Sequence, residues 1–252
     1  MNTGNIHYNK PLLVLRSTVY WIWSILNTLV MALPVLVTAI FSRRLSLYFA
    51  HMWLKINLLG LRYICGLKWQ VEGKEHIPQT PCVVLAKHQS TWETYFLPTI
   101  LPPTVYVAKR SLALIPIFGW ALVALRFILI DRKSGSSAIN QIVTQSLDRM
   151  ARGYSIIIFP EGTRVAVGAE PNYRIGGAIV AGKTGTDILP VAVNSGEFWP
   201  RMGYIKWPGT ITVSIGPMID STGKQASELL DETQAWIEAK MKEISVPNRF
   251  PY

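Results

Sequence analysis

The chain predicts an α/β fold, a mixed sheet with helices on both faces, preceded by a membrane-embedded helical segment. Three observations carry that expectation. Short apolar runs of strand length recur through the later part of the chain, separated by stretches with helical periodicity. Two of those runs end in dense polar clusters, the places where open α/β sheets put their chemistry. Near the start lies a stretch without a charged residue, positions 17–42, longer than the roughly 20 residues a bilayer-spanning helix needs.

Residues 1–10 are polar and expected to be loose. The uncharged stretch is too long for a signal peptide, and no obvious small-residue cleavage site follows it. Tyr20, Trp21 and Trp23 lie near one end, where membrane-interface aromatics belong. Pro34 is expected to kink a continuous helix. Arg43 and Arg44 close the stretch, and positions 45–67 are apolar again but interrupted by His51, Lys55 and Arg62. That pattern reads as an interfacial helix with a basic face. Two arrangements fit: one span with a surface helix, or two helices dipped into one leaflet. Arg43, Arg44, Lys55, Arg62 and Lys68 outnumber Lys10 and Arg16, which places the rest of the chain in the cytoplasm. Residues 1–68 are expected to anchor and 69–252 to form the sheet domain.

The net charge is +10 and the sequence pI about 9.7, with half of the residues hydrophobic and 16% charged. A basic excess fits nucleic acid or an anionic membrane surface. No zinc-finger, RNA-recognition or helix-turn-helix signature occurs, and the hydrophobicity favours lipid, so nucleic acid is not expected as a partner. Cys65 and Cys82 are the only cysteines and show no metal-ligand spacing, so neither a metal nor a resident cofactor is expected.

The sheet domain opens with a short edge strand over 68–72 and a turn rich in proline, Ile77 to Pro81. A buried strand over 82–85 follows, then a helix continuing from Thr91 to Leu101, stopped by Pro102 and Pro103. Further strands are expected over 105–108, 127–130, 155–158, 188–193 and 210–215. Ser136 or Ser137 is expected to cap a helix reaching Arg152, with Ile139, Ile142, Val143, Leu147 and Met150 on one face and Gly153 ending it. A glycine-containing helix over 175–186 and a terminal helix over 227–244 complete the alternation.

The first polar cluster is Ala86-Lys87-His88-Gln89-Ser90-Thr91-Trp92-Glu93. If a helix begins at Thr91, the loop folds His88 back onto its first turn. A carboxylate there accepts from one imidazole nitrogen and leaves the other as an acceptor, a general base. The second cluster is Phe159-Pro160-Glu161-Gly162-Thr163-Arg164. Arg164 offers a planar fork suited to phosphate oxygens, and backbone N–H groups near Gly162 and Thr163 can add donors. Ser90 raises a serine hydrolase, but no Gly-x-Ser-x-Gly turn occurs anywhere in the chain.

Taken together, the two clusters resemble the glycerolipid acyltransferase family, specifically bacterial 1-acylglycerol-3-phosphate acyltransferases of the PlsC type. The resemblance covers roughly residues 80–220. It departs from the commoner pattern at Glu93, where aspartate is usual. It implies acylation of the 2-hydroxyl of 1-acylglycerol 3-phosphate (lysophosphatidic acid), giving phosphatidic acid, with His88 as base and Glu93 orienting it. The donor is an acyl-carrier protein or coenzyme A thioester, and the location the inner membrane, in contact with membrane lipids. Leu114 to Trp120 resembles the family's acceptor-binding second block. Lys109 and Arg174 fall where the family is basic. Glu161 is expected to hold its loop or the glycerol hydroxyl. Two alternatives stand beside this reading: another lysolipid or an amino-acid lipid as acceptor, and a lipid-binding protein without turnover.

Overall fold

The computed structural model of the protein describes residues 9–131, 135–246 and 250. The first eight positions, expected to be loose, lie outside them. Among the described residues seven strands form one sheet: β1 (Leu67–Glu72), β2 (Val83–Ala86), β3 (Thr104–Lys109), β4 (Ile128–Ile130), β5 (Ser155–Ile158), β6 (Ile188–Val193) and β7 (Gly209–Ile215). Their order is β1-β7-β6-β2-β5-β3-β4. Every pairing is parallel except β6 with β7, so the sheet is mixed. Because β6, β2, β5 and β3 are neighbours running the same way, their C-terminal ends meet along one edge.

The helices are α1 (Lys10–Phe41), α2 (Arg43–Ile64), α3 (Trp92–Ile100), α4 (Phe118–Ala124), α5 (Ser136–Ala151), α6 (Gly176–Thr184) and α7 (Ala226–Ile244). Strand side chains alternate between two packed layers. Val84, Ile157, Leu189 and Val213 meet Tyr20 of α1, Leu58 and Leu61 of α2, and Phe96 and Leu97 of α3. Val83, Leu85, Ile156, Ile158 and Ile188 meet Ile142 of α5, Val180 of α6 and Leu229 of α7. The central strands are buried on both faces, which is why they read as unbroken apolar runs.

α1 and α2 form a hairpin on a single connecting residue. Ser42 donates its backbone N–H to Thr38 O and accepts from Leu45 N–H with its side chain, ending one helix and capping the next. Buried positions on α1 recur at Leu13, Ser17, Tyr20, Ser24, Asn27, Ala32 and Val35. Among the polar ones, Asn27 Nδ2 donates across the hairpin to Trp53 O at 3.0 Å. The opposite face of α1 is apolar and exposed, at Ile22, Leu26, Leu29, Val30 and Leu33. α1 is the one described helix long and apolar enough to cross a membrane, by length and composition.

Both ends of the hairpin rest on the sheet domain. At the turn, Arg43 Nε donates to Tyr154 Oη at 2.6 Å, and its guanidinium lies 4.4 Å from the centre of the Tyr154 ring. At the other end, Lys206 N–H donates to Ser17 Oγ at 2.9 Å. The Lys206 ammonium is buried 3.8 Å from the centre of the Trp21 ring and 4.9 Å from that of Trp199. Burial pulls its pKa down to about 7. The expected membrane belt of Tyr20, Trp21 and Trp23 is therefore corrected at its first two members, while Trp23 stays exposed. Tyr20 is fully buried, and both rings pack edge-on against Trp199.

Three smaller expectations are corrected as well. His51 does not join a basic outer face; its ring nitrogens sit 2.8 Å from Leu47 O and 3.1 Å from Pro98 O, between α2 and α3. Gly135, not a serine, occupies the N-cap of α5. Leu147 of α5 is exposed; the buried positions there are Ala138, Ile142 and Ser146, spaced by four.

Candidate active site

The site lies where β6, β2, β5 and β3 end, each chain exit delivering one part of it. β2 leads into the histidine loop. Thr91 stands at the N-cap of α3, so Glu93 sits in the first helical turn and faces back to the loop. His88 Nδ1 and Glu93 Oε1 are 2.9 Å apart. The same oxygen accepts from Gln89 N–H at 2.8 Å and Ser90 N–H at 2.7 Å. A carboxylate oxygen so placed only accepts, so Nδ1 carries the imidazole proton and Nε2 is left as the acceptor. Glu93 is fully buried. The Phe159 ring stacks on His88, centroids 3.8 Å apart and planes 11° from parallel, and fixes the ring's tilt.

β5 delivers the second cluster. Glu161 Oε2 accepts from His88 N–H at 2.7 Å, and Glu161 Oε1 lies 2.7 Å from Lys87 Nζ. Lys87 Nζ also meets Glu238 Oε1 of α7 at 2.8 Å, and Tyr173 Oη donates to that oxygen at 2.7 Å. Burial pushes the Glu161 carboxyl up to about 7, against the pull of the Lys87 charge and of the His88 N–H. Val165 N–H donates to His88 O at 2.8 Å, a second tie between the two loops. Gly162 has φ of 68°, the left-handed region open to glycine, and its N–H closes a turn onto Phe159 O at 2.9 Å. That N–H is spent on the turn and is not a donor for a phosphate.

Arg164 Nη1 donates to Thr91 Oγ1 at 2.9 Å, holding the guanidinium over the start of α3. His88, Gly162, Thr163, Arg164 and Lys109 all line one cavity of about 500 Å³. Away from those polar groups the cavity is mostly apolar, running past Tyr95, Tyr106, Phe127 and Leu122 to Val35 of α1 and Leu54 of α2, with His51 and a few threonines in its wall. Leu112, just before the second block, and Phe118, within it, line the cavity too, whereas Leu114 and Trp120 face outward. Arg174 is exposed; it lies against Gly162 and is absent from the cavity's lining. Glu161 is likewise behind the cavity wall, supporting the loop.

Sequence reasoning brought together His88, Glu93, Glu161, Gly162, Thr163 and Arg164. It missed Lys87 and Glu238, whose signal was a lysine directly before the histidine, and Ser195, which carried none. Ser195 Oγ, at the exit of β6, donates to Glu93 Oε2 at 2.6 Å. Among the described residues no group of three or more His, Cys, Asp or Glu side chains is placed to hold a metal ion.

A histidine oriented by a buried carboxylate, with an arginine beside it and an apolar cavity beyond, has the chemistry to accept a proton from a group held next to apolar surface. Residues 68–194 match the acyltransferase family, and the chain belongs to that family. It is 41% identical over 196 residues to a Pseudomonas aeruginosa protein named 1-acyl-sn-glycerol-3-phosphate acyltransferase, covering 77% of this chain and 76% of that one. A Borreliella burgdorferi protein of the same name is 32% identical over 180 residues, 70% of each chain. The crystal structure of the Thermotoga maritima 1-acyl-sn-glycerophosphate acyltransferase shares the fold, with a TM-score of 0.79 at 21% identity over 97% of this chain and 100% of that one.

Proposed function

We propose that this chain transfers an acyl group from a thioester to the 2-hydroxyl of 1-acyl-sn-glycerol 3-phosphate, giving phosphatidic acid. The observation that carries the reading is the His88–Glu93 pair opening, beside Arg164, onto an apolar cavity. The names of the relatives supply the acceptor. In this reading His88 Nε2 takes the proton of the attacking hydroxyl, whose own pKa is far above neutral. Glu93 holds the ring and stabilises the imidazolium, as the acid of a triad does. The alkoxide oxygen bonds to the thioester carbonyl carbon, and the tetrahedral adduct then expels the thiolate, which leaves with the proton from the imidazolium. Arg164 binds the acceptor's phosphate through two N–H groups; Lys109, exposed at the cavity rim, adds charge. Acyl chain occupies the apolar depth.

Membrane lipid is the proposed surroundings, the cytoplasmic side of the inner membrane the proposed place. A hairpin whose two ends both rest on the sheet domain favours immersion in one leaflet: a crossing would pull Arg43 from Tyr154 or Ser17 from Lys206. The outward apolar face of α1 then meets acyl chains. The test is an assay of detergent-purified protein against a panel of lysolipids with acyl-carrier-protein and coenzyme A thioesters. Preference for lysophosphatidate over its phosphate-free analogue supports the reading; turnover of phosphate-free acceptors alone overturns it.

A further inference from the structure

The catalytic carboxylate is held by more than its own loop. Glu93 Oε1 takes three donors from the histidine loop, but Oε2 turns away and accepts from Ser195 Oγ at 2.6 Å. Both residues are fully buried. Ser195 follows β6, and the parallel pairing of β6 with β2 brings it beside the loop 102 positions earlier in the chain.

The turn that carries Ser195 is itself braced. Asn194 Oδ1 accepts from Thr212 N–H at 2.8 Å, and Asn194 Nδ2 donates to Ile244 O at 2.8 Å. Glu197 Oε1 accepts from Ser245 Oγ and Val246 N–H, each at 2.8 Å. Gly196 presses on the histidine loop so closely that a Cβ there would lie 2.7 Å from Gln89 Cβ; its N–H donates to Gln89 Oε1 at 3.3 Å. The histidine loop is thus touched at two points by a fixed turn from another strand.

We propose that Ser195 is a positioning residue for the reaction, acting through Glu93. The inference rests on the acyl-transfer reading above. The last torsion of a glutamate side chain is broad and roughly two-fold, so a carboxylate held through one oxygen can swivel. The Ser195 hydroxyl donates its hydrogen to Oε2 and pins the carboxylate plane, leaving Oε1 aimed at His88 Nδ1. This also gives the glutamate at position 93 a use. An aspartate, one methylene shorter, would have to span the same gap between His88 and Ser195 from the same backbone position with a shorter reach.

The test is a double-mutant cycle on the full chain in detergent, with kcat referred to folded enzyme by tryptophan fluorescence. Ser195→Ala should lower kcat about tenfold or more, the lower end for a lost hydrogen bond to a charged group, with KM for both substrates within about twofold of the parent. Ser195→Cys, which keeps the volume but donates weakly, should fall with it. In a Glu93→Asp background, Ser195→Ala should change kcat less than about threefold, because the contact is already gone. Parent-like kcat in Ser195→Ala overturns the proposal. So does an equal loss in both backgrounds, or failure of Ser195→Ala to fold, since either marks a structural role independent of Glu93. If His88→Ala is inactive while Ser195→Ala is not, only the role of Ser195 falls; an active His88→Ala would instead remove the acyl-transfer reading.

Discussion

Replacing Lys87 with methionine keeps an unbranched side chain one atom shorter and removes the charge that faces Glu161. The lysine and glutamate side chains are 3% and 0% exposed, so water cannot substitute. Breaking such a pair from one side costs about 3–5 kcal/mol if the remaining charge stays. Glu161 has a second option, to take up a proton. Its pKa is already raised to about 7, so holding it neutral at pH 8 costs about 1.4 kcal/mol. Protonation is the smaller penalty, and the variant should follow it. For a carboxyl whose folded pKa is raised, the contribution to stability is present below the unfolded value and lost as pH rises through the folded one. Removing Lys87 raises that folded value further and widens the window upward. At pH 5 Glu161 is mostly protonated in parent and variant alike, and the charge-dependent penalty is small. At pH 8 the deficit of Lys87→Met relative to the parent should exceed its deficit at pH 5 by about 1–2 kcal/mol. Urea unfolding in detergent at the two pH values, followed by tryptophan fluorescence, measures this. Adding Glu161→Gln should abolish the pH-dependent part. A deficit equal at both pH values, or unrelieved by the second substitution, would refute the reasoning.

Other outcomes follow from the same geometry. Arg164→Ala should raise KM for lysophosphatidate about 10- to 150-fold, the loss of a charge-assisted contact, with a much smaller effect on the donor. Arg164→Lys should recover part, an ammonium lacking the fork; an equal effect on a phosphate-free acceptor would mark Arg164 as a loop support through Thr91. The protein should stay with the membrane fraction through a high-salt wash and come off with detergent, given the exposed apolar face of α1. Recovery in the salt wash would contradict that.

Much of the fold is written in runs of neighbouring residues. β2, β6 and, after Ser155, β5 are apolar because both faces of the sheet are covered, and their buried patterns leave no polar alternation to confuse them. His88 and Glu93 are legible because one loop and one helical turn hold both. What could not be read depends on strand order. Ser195 reaches Glu93, and Glu161 reaches His88 N–H, because β6 and β5 flank β2, an adjacency no local pattern encodes. Glu238 enters from α7 for the same reason. Tyr20, Trp21 and Trp23 read locally as a membrane belt because aromatics at the end of an apolar helix usually serve there. Lys206, buried from a loop far along the chain, holds Tyr20 and Trp21 inward. The α5 stripe failed at Leu147 for a smaller reason: Ser146, small and buried, took the place on the packed face that hydrophobicity assigned to its neighbour.

Release of free thiol from an acyl thioester, with lysophosphatidate as acceptor, tests the dyad most directly when parent and His88→Ala are compared. A general base contributes about 10²- to 10⁴-fold, so the variant should fall by at least about 100-fold while its unfolding midpoint and membrane association stay as in the parent. Glu93→Gln should lose most of the activity as well, because its imidazole is no longer held by a charged acceptor. Turnover near the parent's in a folded His88→Ala protein would contradict the account.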